Sequence, residues 1–191
     1  MPYWLTFVNN PFDKERYEAV RAVAAEILSD HTGSDPSQIV DLFSRESGYA
    51  TPKVDVRGVV FRDDTILLVK ERADGLWTLP GGWADVNESA SEAVVREVFE
   101  ESGYRTRATK LLAVLDRSKH PHVPPPPFHI YKLFILCELL GGDATTSHET
   151  EAVAFFREDE LPEFSISRTT PEQVARLFEL RRCPELPPDF D

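Results

Sequence analysis

A chain of 191 residues with 41% hydrophobic side chains can bury a real core, as one ordinary domain or one domain with a small appendage. A net charge of −12 excludes a general affinity for nucleic acid or for an anionic membrane, because each phosphate contact needs local Lys or Arg. Two lone cysteines, Cys137 and Cys183, exclude a disulfide framework, no apolar run is long enough to span a bilayer, and residues 1–11 lack the basic stretch of a secretory signal, so a cytoplasmic protein is expected.

Residues 12–30 predict a helix. Tyr17, Val20, Val23, Ala24 and Ile27 recur at three- and four-residue spacing, with Glu15, Arg16, Glu18 and Glu26 between them. Residues 31–34 end it. Pro36 opens a second helix whose apolar side is Ile39, Val40, Leu42 and Phe43, and residues 48–52 read as a linker. The first unit, 1–50, is therefore a helical hairpin. It is too small to hold a core alone, so it must pack on the rest, on a partner chain, or on both.

From Pro52 the pattern changes to strands. Residues 54–61 and 66–69 form a hairpin around 62–65, and 76–79 is a short strand leading into Pro80, Gly81 and Gly82. Residues 88–102 predict a helix, 106–115 and 128–140 two longer strands, 141–142 a turn and 152–156 another strand. Residues 158–161 predict a helical turn and 171–182 a terminal helix with Val174, Leu177 and Phe178 inward. Between the long strands lie Arg117, Lys119, His120, His122 and four prolines at 124–127, which predict stiff polyproline II. Strands followed by helices imply an α+β layer architecture for residues 51–191.

The helix at 88–102 carries Glu97, Glu100 and Glu101. At about 100° per residue, Glu97 and Glu101 point within about 40° of each other, toward the side of Ala90, Ala93 and Val94. The acids thus aim where the helix packs. Glu92 and Arg96 lie together on another side, four residues apart, and can pair. Carboxylates facing inward are costly without cations, and oxygen-only ligands select a hard divalent ion, Mg²⁺ or Mn²⁺. Gly81 and Gly82 let backbone approach an ion or phosphate, and Ser89 with Glu92 forms a capping box.

Gly82, Glu88, Arg96, Glu97, Glu100, Glu101 and Gly103 stand at the spacing G-x5-E-x7-R-E-U-x-E-E-x-G-U, which resembles the Nudix box; all seven fixed identities are present, and Tyr104 takes an aliphatic place. The resemblance extends over about 52–165. It implies a Nudix α/β/α sandwich with a mixed sheet, divalent metal held by Glu97, Glu100 and Glu101 with backbone near Gly82, Arg96 orienting Glu97, and Glu88 tying loop to helix. It also implies a further carboxylate on the loop before the last strand, with catalytic weight on Glu97, Glu101 and that group: Glu149 first, Glu151 second. The hairpin, with 52–57 and 80–85, is similar to the branch that hydrolyses nucleoside diphosphates linked to another group, such as CDP-choline and ADP-ribose pyrophosphatases, and that branch implies a homodimer and a small nucleotide substrate. A nucleoside triphosphate pyrophosphatase and a non-enzymatic nucleotide-sensing domain are the alternatives.

Substrate contacts outside the box are expected from Arg57 and Arg72, whose guanidinium groups suit phosphate, and from Arg117 and His120 in the basic loop, while Trp83 inside the box reads as stacking on a base or as packing. Arg57 reads equally as an exposed strand arginine. The His120 and His122 pair lacks further ligands and reads as a surface loop.

Overall fold

Two compact units divide the chain at Pro52 in the computed structural model, which describes residues 8, 10–33, 35–44, 51–125 and 128–191. Ser34, most of the 48–52 linker, and Pro126 and Pro127 of the proline run lie outside the described residues.

In the first unit, helix α1 (Pro11–Thr32) begins where Asn10 accepts a 3.0 Å hydrogen bond from the Phe12 amide, and it ends at Gly33. Helix α2 (Pro36–Ser44) packs against it. The stripe that should pack remains open: Val20, Val23 and Ile27 are 59%, 53% and 60% exposed.

The second unit is built around β1 (Lys53–Arg62). Residues 53–60 run parallel to β5 (Ile130–Gly142), whereas only Phe61 and Arg62 pair, antiparallel, with β2 (Thr65–Glu71). The strand thus splays away from β2, and the loop after β3 (Trp77–Thr78) fills the gap. There the Val56 and Gly58 amides each donate at 2.8 Å to the carbonyls of Gly82 and Pro80, and the Ala84 amide donates to Val54. The seven-stranded sheet is ordered β3-β2-β1-β5-β4-β7, with β4 (Tyr104–Asp116), β6 (Thr150–Arg157) paired to β2, and β7 (Asp189–Phe190) on the edge of β4.

Alternation along β1 sends Val56 and Val60 to one face and Val59 to the other. On the first face α3 (Ala90–Ser102) packs through Ala93, Val94 and Val98. Burying each of the two valines contributes roughly 1.5–3 kcal/mol. Gly58 permits this contact, since a Cβ there would lie 2.3 Å from Val98. On the second face α4 (Pro171–Arg182) packs Val174, Leu177 and Phe178 on Val59, Ile66, Leu68 and Phe134. The result is a three-layer mixed-sheet sandwich.

One expectation is corrected. Gly141 and Gly142 are not a turn: they pair with Arg105 and Tyr104 and extend β5, at φ values of 138° and 97°. β7 adds a strand too short, at two residues, to show any periodicity in the sequence.

Candidate active site

The loop of residues 80–84 sets the depth of the site. Gly81 has φ 143°, and a Cβ there would fall 2.0 Å from the Val56 carbonyl, so no side chain fits. Its amide donates a 2.9 Å hydrogen bond to Glu101 Oε2. A Cβ on Gly82 would lie 3.0 Å from Glu97 Oε2, so bare backbone forms the wall in front of that carboxylate. The Gly82 carbonyl itself accepts from Val56.

Capping fixes where α3 starts and hence where its acids fall. Ser89 accepts from the Glu92 amide while Glu92 accepts from the Ser89 amide. Glu92 is thereby committed, and Arg96 turns instead to Glu88, bidentate at 2.9 Å for both bonds; the expected Glu92–Arg96 pair is not formed. Arg96 Nη1 also donates to Glu97 Oε1 at 2.8 Å and to Glu100 Oε2 at 3.1 Å. Hydrogen bonds to Glu88, Glu97 and Glu100 hold its proton more tightly than usual, and Asp85 lies 3.8 Å away.

The three acids of the helix have different surroundings. Glu101 is 5% exposed, and burial pushes its pKa up to about 8 despite the nearby Arg57 charge and the Gly81 amide. Glu97 is mostly buried and also raised, chiefly by burial. Glu100 faces solvent, its side chain 56% exposed, which corrects the expectation that all three face inward.

Behind them Arg57 is buried, 4% exposed, with Nε and Nη2 on the two Asp55 oxygens at 2.7 and 2.8 Å and Nη1 on the Leu79 carbonyl. It is neither an exposed strand arginine nor open to a phosphate; it supports the site from below, its charge acting on Glu101 and Glu97. Lys132, 1% exposed, adds a 3.0 Å bond to Asp55. Glu71, buried at the end of β2, is 3.2 Å from Arg168 and raises the pKa of Glu101 by its charge. The sequence carries a signal for Asp55 and Lys132, charged residues inside two apolar strands, but none for Glu71.

The two candidate carboxylates of the last loop separate clearly. Glu151 is bound to Lys70 at 2.6 Å. Glu149 is tied by its carbonyl to the Arg72 amide at 2.8 Å, and its exposed carboxylate meets only His148, 3.2 Å away, among the described contacts. Thr150 between them donates to the Glu101 carbonyl at 2.9 Å, stitching this loop to the carboxylate helix.

Arg72 is exposed on the same rim, with Nε on the Ser147 carbonyl. Trp83 is 47% exposed and edge-on to Phe128. Arg117, expected in a basic surface loop, is 6% exposed and bonded to the Ser167 and Pro124 carbonyls. His122 is not a surface residue: it is 7% exposed and lies between Ile166 and Gln173. His120 lies 3.3 Å from Asp191, beside a cavity of about 200 Å³ between β4 and α4.

Whether these residues fit a metal ion turns on the donors. Among the described residues, no three His, Cys, Asp or Glu side chains converge on a point as they stand. Arg96 draws Glu97 Oε1 and Glu100 Oε2 toward itself, but it leaves Glu97 Oε2 facing Gly82 and Glu101 buried with a single amide donor. The oxygens of Glu97 and Glu101 left beside the bare backbone of Gly81 and Gly82 form an all-oxygen set, which fits a hard divalent ion.

Comparison with known proteins agrees with this reading of the geometry. The NUDIX domain model matches residues 51–177, and a model described as a UDP-X-like N-terminal oligomerisation domain matches residues 5–43. A Bacillus subtilis protein, YjhB, whose name assigns it provisionally to the ADP-ribose pyrophosphatases, is 48% identical over 98% of this chain and 89% of its own length. A crystal structure of an ADP-ribose pyrophosphatase from Streptococcus suis is 44% identical, with a TM-score of 0.67 over 74% of this chain and 100% of that one. A crystal structure of a UDP-X diphosphatase is 33% identical, with a TM-score of 0.68 over 98% of this chain and 90% of that one.

Proposed function

The chain belongs to the NUDIX family, and from that premise we propose a metal-dependent pyrophosphohydrolase that splits a nucleoside diphosphate linked to a second moiety. The products are a nucleoside monophosphate and the phosphate ester of that moiety. The observation that carries this reading is Glu101, an acid buried beside the Gly81 amide on the helix that also bears Glu97 and Glu100.

Glu97, Glu100 and Glu101 would hold Mg²⁺ or Mn²⁺. When bound, the ion offsets charge on the diphosphate and acidifies water. Arg96, anchored on Glu88, orients Glu97 and Glu100 through one oxygen each and leaves the other oxygen for ligation. Arg57, fixed by Asp55, keeps a positive charge behind Glu101 and so favours its ionised form. Glu149 takes the proton from the attacking water at its carboxylate; Glu151 is spent on Lys70. Arg72 on the same rim contacts a phosphate, and Trp83 stacks on the base.

For the substrate, the names of relatives acting on ADP-ribose and on UDP-X support reading those two classes ahead of CDP-choline. A homodimer through α1 accounts for its open Val20, Val23 and Ile27 and accords with the oligomerisation model that matches there. Among the described residues no helix is long and apolar enough to cross a membrane. The test is phosphorus NMR of the products from ADP-ribose, UDP-sugars, CDP-choline and nucleoside triphosphates, with and without Mg²⁺. Turnover of a diphosphate-linked compound to two monophosphates is expected; folded protein that turns over none of them with metal present overturns the reading.

A further inference from the structure

Three cations, Arg57, Lys132 and Arg117, are buried near Asp55, which is the acid hydrogen-bonded to the first two and acts on the third only through its charge. Arg57 occupies both Asp55 oxygens and also feels Glu101 and Glu71. Lys132 shares one of those same oxygens, and the ammonium group carries three donors. Arg117 meets only neutral carbonyls, and its Nη1 is buried without a hydrogen-bond partner among the described residues.

His122 adds no charge of its own. Its Nδ1 is 2.7 Å from the Ile166 carbonyl and its Nε2 is 3.1 Å from the Gln173 amide nitrogen, so Nδ1–H donates and Nε2 accepts. Burial holds its pKa down to about 4 and that of Lys132 down to about 8, and the neighbouring Arg57 and Arg117 charges add to the fall at Lys132. A buried water would satisfy the open hydrogen bond of Arg117 but not the excess charge.

We propose that Arg117 and Lys132 form an oxyanion subsite, distinct from the carboxylates of α3, that takes a phosphate-class group. Bidentate guanidinium and a nearby ammonium suit such a group, and its charge offsets both cations at once. The carbonyls that hold Arg117 belong to Pro124 and Ser167, outside the strands, and an incoming phosphate group would exchange with these neutral acceptors. The group is either a phosphate of the substrate, which rests on the hydrolase reading, or free phosphate, which does not.

The test is calorimetric titration of inorganic phosphate into the full chain with EDTA present, where no metal and no turnover is involved. Saturable binding is expected, weakened at least about tenfold by Arg117→Gln and by Lys132→Met, partly restored in Arg117→Lys, and retained in Glu101→Gln. If Arg117→Gln fails to melt cooperatively, Lys132→Met decides, because Asp55 keeps its Arg57 pair. Absence of phosphate binding by the folded wild type, or equal affinity in the folded variants, overturns the proposal. Turnover assays with added phosphate then identify the source: a rise in KM alone supports the substrate's own phosphate, and a fall in kcat supports free phosphate as a separate ligand.

Discussion

Helices α1 and α3 depart from ordinary amphipathic design in opposite directions. α1 leaves Val20, Val23 and Ile27 in solvent, whereas α3 buries Glu101 and most of Glu97. A normal surface helix hides its aliphatic residues and shows its acids. Each departure is unfavourable for the chain by itself, and each identifies what is missing: apolar surface wants another apolar surface, and buried carboxylate wants a cation. On the proposed reading α1 would pair with a second copy of the chain and α3 would hold a divalent ion.

The strongest way to break that pairing is at α3. Glu101→Gln keeps the shape and the acceptor for Gly81 but removes the charge, and kcat/KM is expected to fall on the order of 10³-fold in a Mg²⁺-dependent assay. Glu149→Gln should lower kcat by about 10²-fold while Glu151→Gln changes it by less than about twofold, a steady-state comparison that separates a proton acceptor from an acid already paired with Lys70. Arg96→Gln, which frees Glu97 and Glu100 from their tether, should weaken Mn²⁺ affinity by about 10-fold or more, read by electron paramagnetic resonance. The mildest effect on chemistry is expected at α1. Val23→Glu should convert a dimer to a monomer in sedimentation analysis, leaving the melting of residues 53–191 in place.

The two helices were also unequally legible in the sequence. The 3.6-residue period located both, and the glutamate spacing oriented Glu97 and Glu101 correctly against Ala93 and Val94. Glu100 escaped that reading because a residue beside the packing stripe turns outward as easily as inward. The roles of Arg57 and Arg117 were opaque for another reason. A strand's alternation says which face a side chain takes, not whether Asp55 from the same strand or carbonyls from a distant turn will enclose it. Glu71 and Asp55 belong to the site through register alone: β1 pairs with β5, which sets Asp55 against Lys132, and β2 pairs with β6, which sets Glu71 beside Thr150. Single-sequence patterns do not contain that information.

Thermal unfolding against pH tests the buried acid most directly. Glu101 releases its proton near pH 4.5 in the unfolded chain and near 8 in the folded chain without a cation. Between those values the folded state holds the extra proton, so stability falls as pH rises through this window. In EDTA, wild type should therefore lose stability relative to Glu101→Gln from pH 5 to 8, by on the order of 2–4 kcal/mol, and saturating Mn²⁺ should close the gap by stabilising wild type alone. Parallel curves for the two proteins in EDTA, with Mn²⁺ raising both equally, would contradict the claim that Glu101 is a buried carboxylate built to meet a divalent ion.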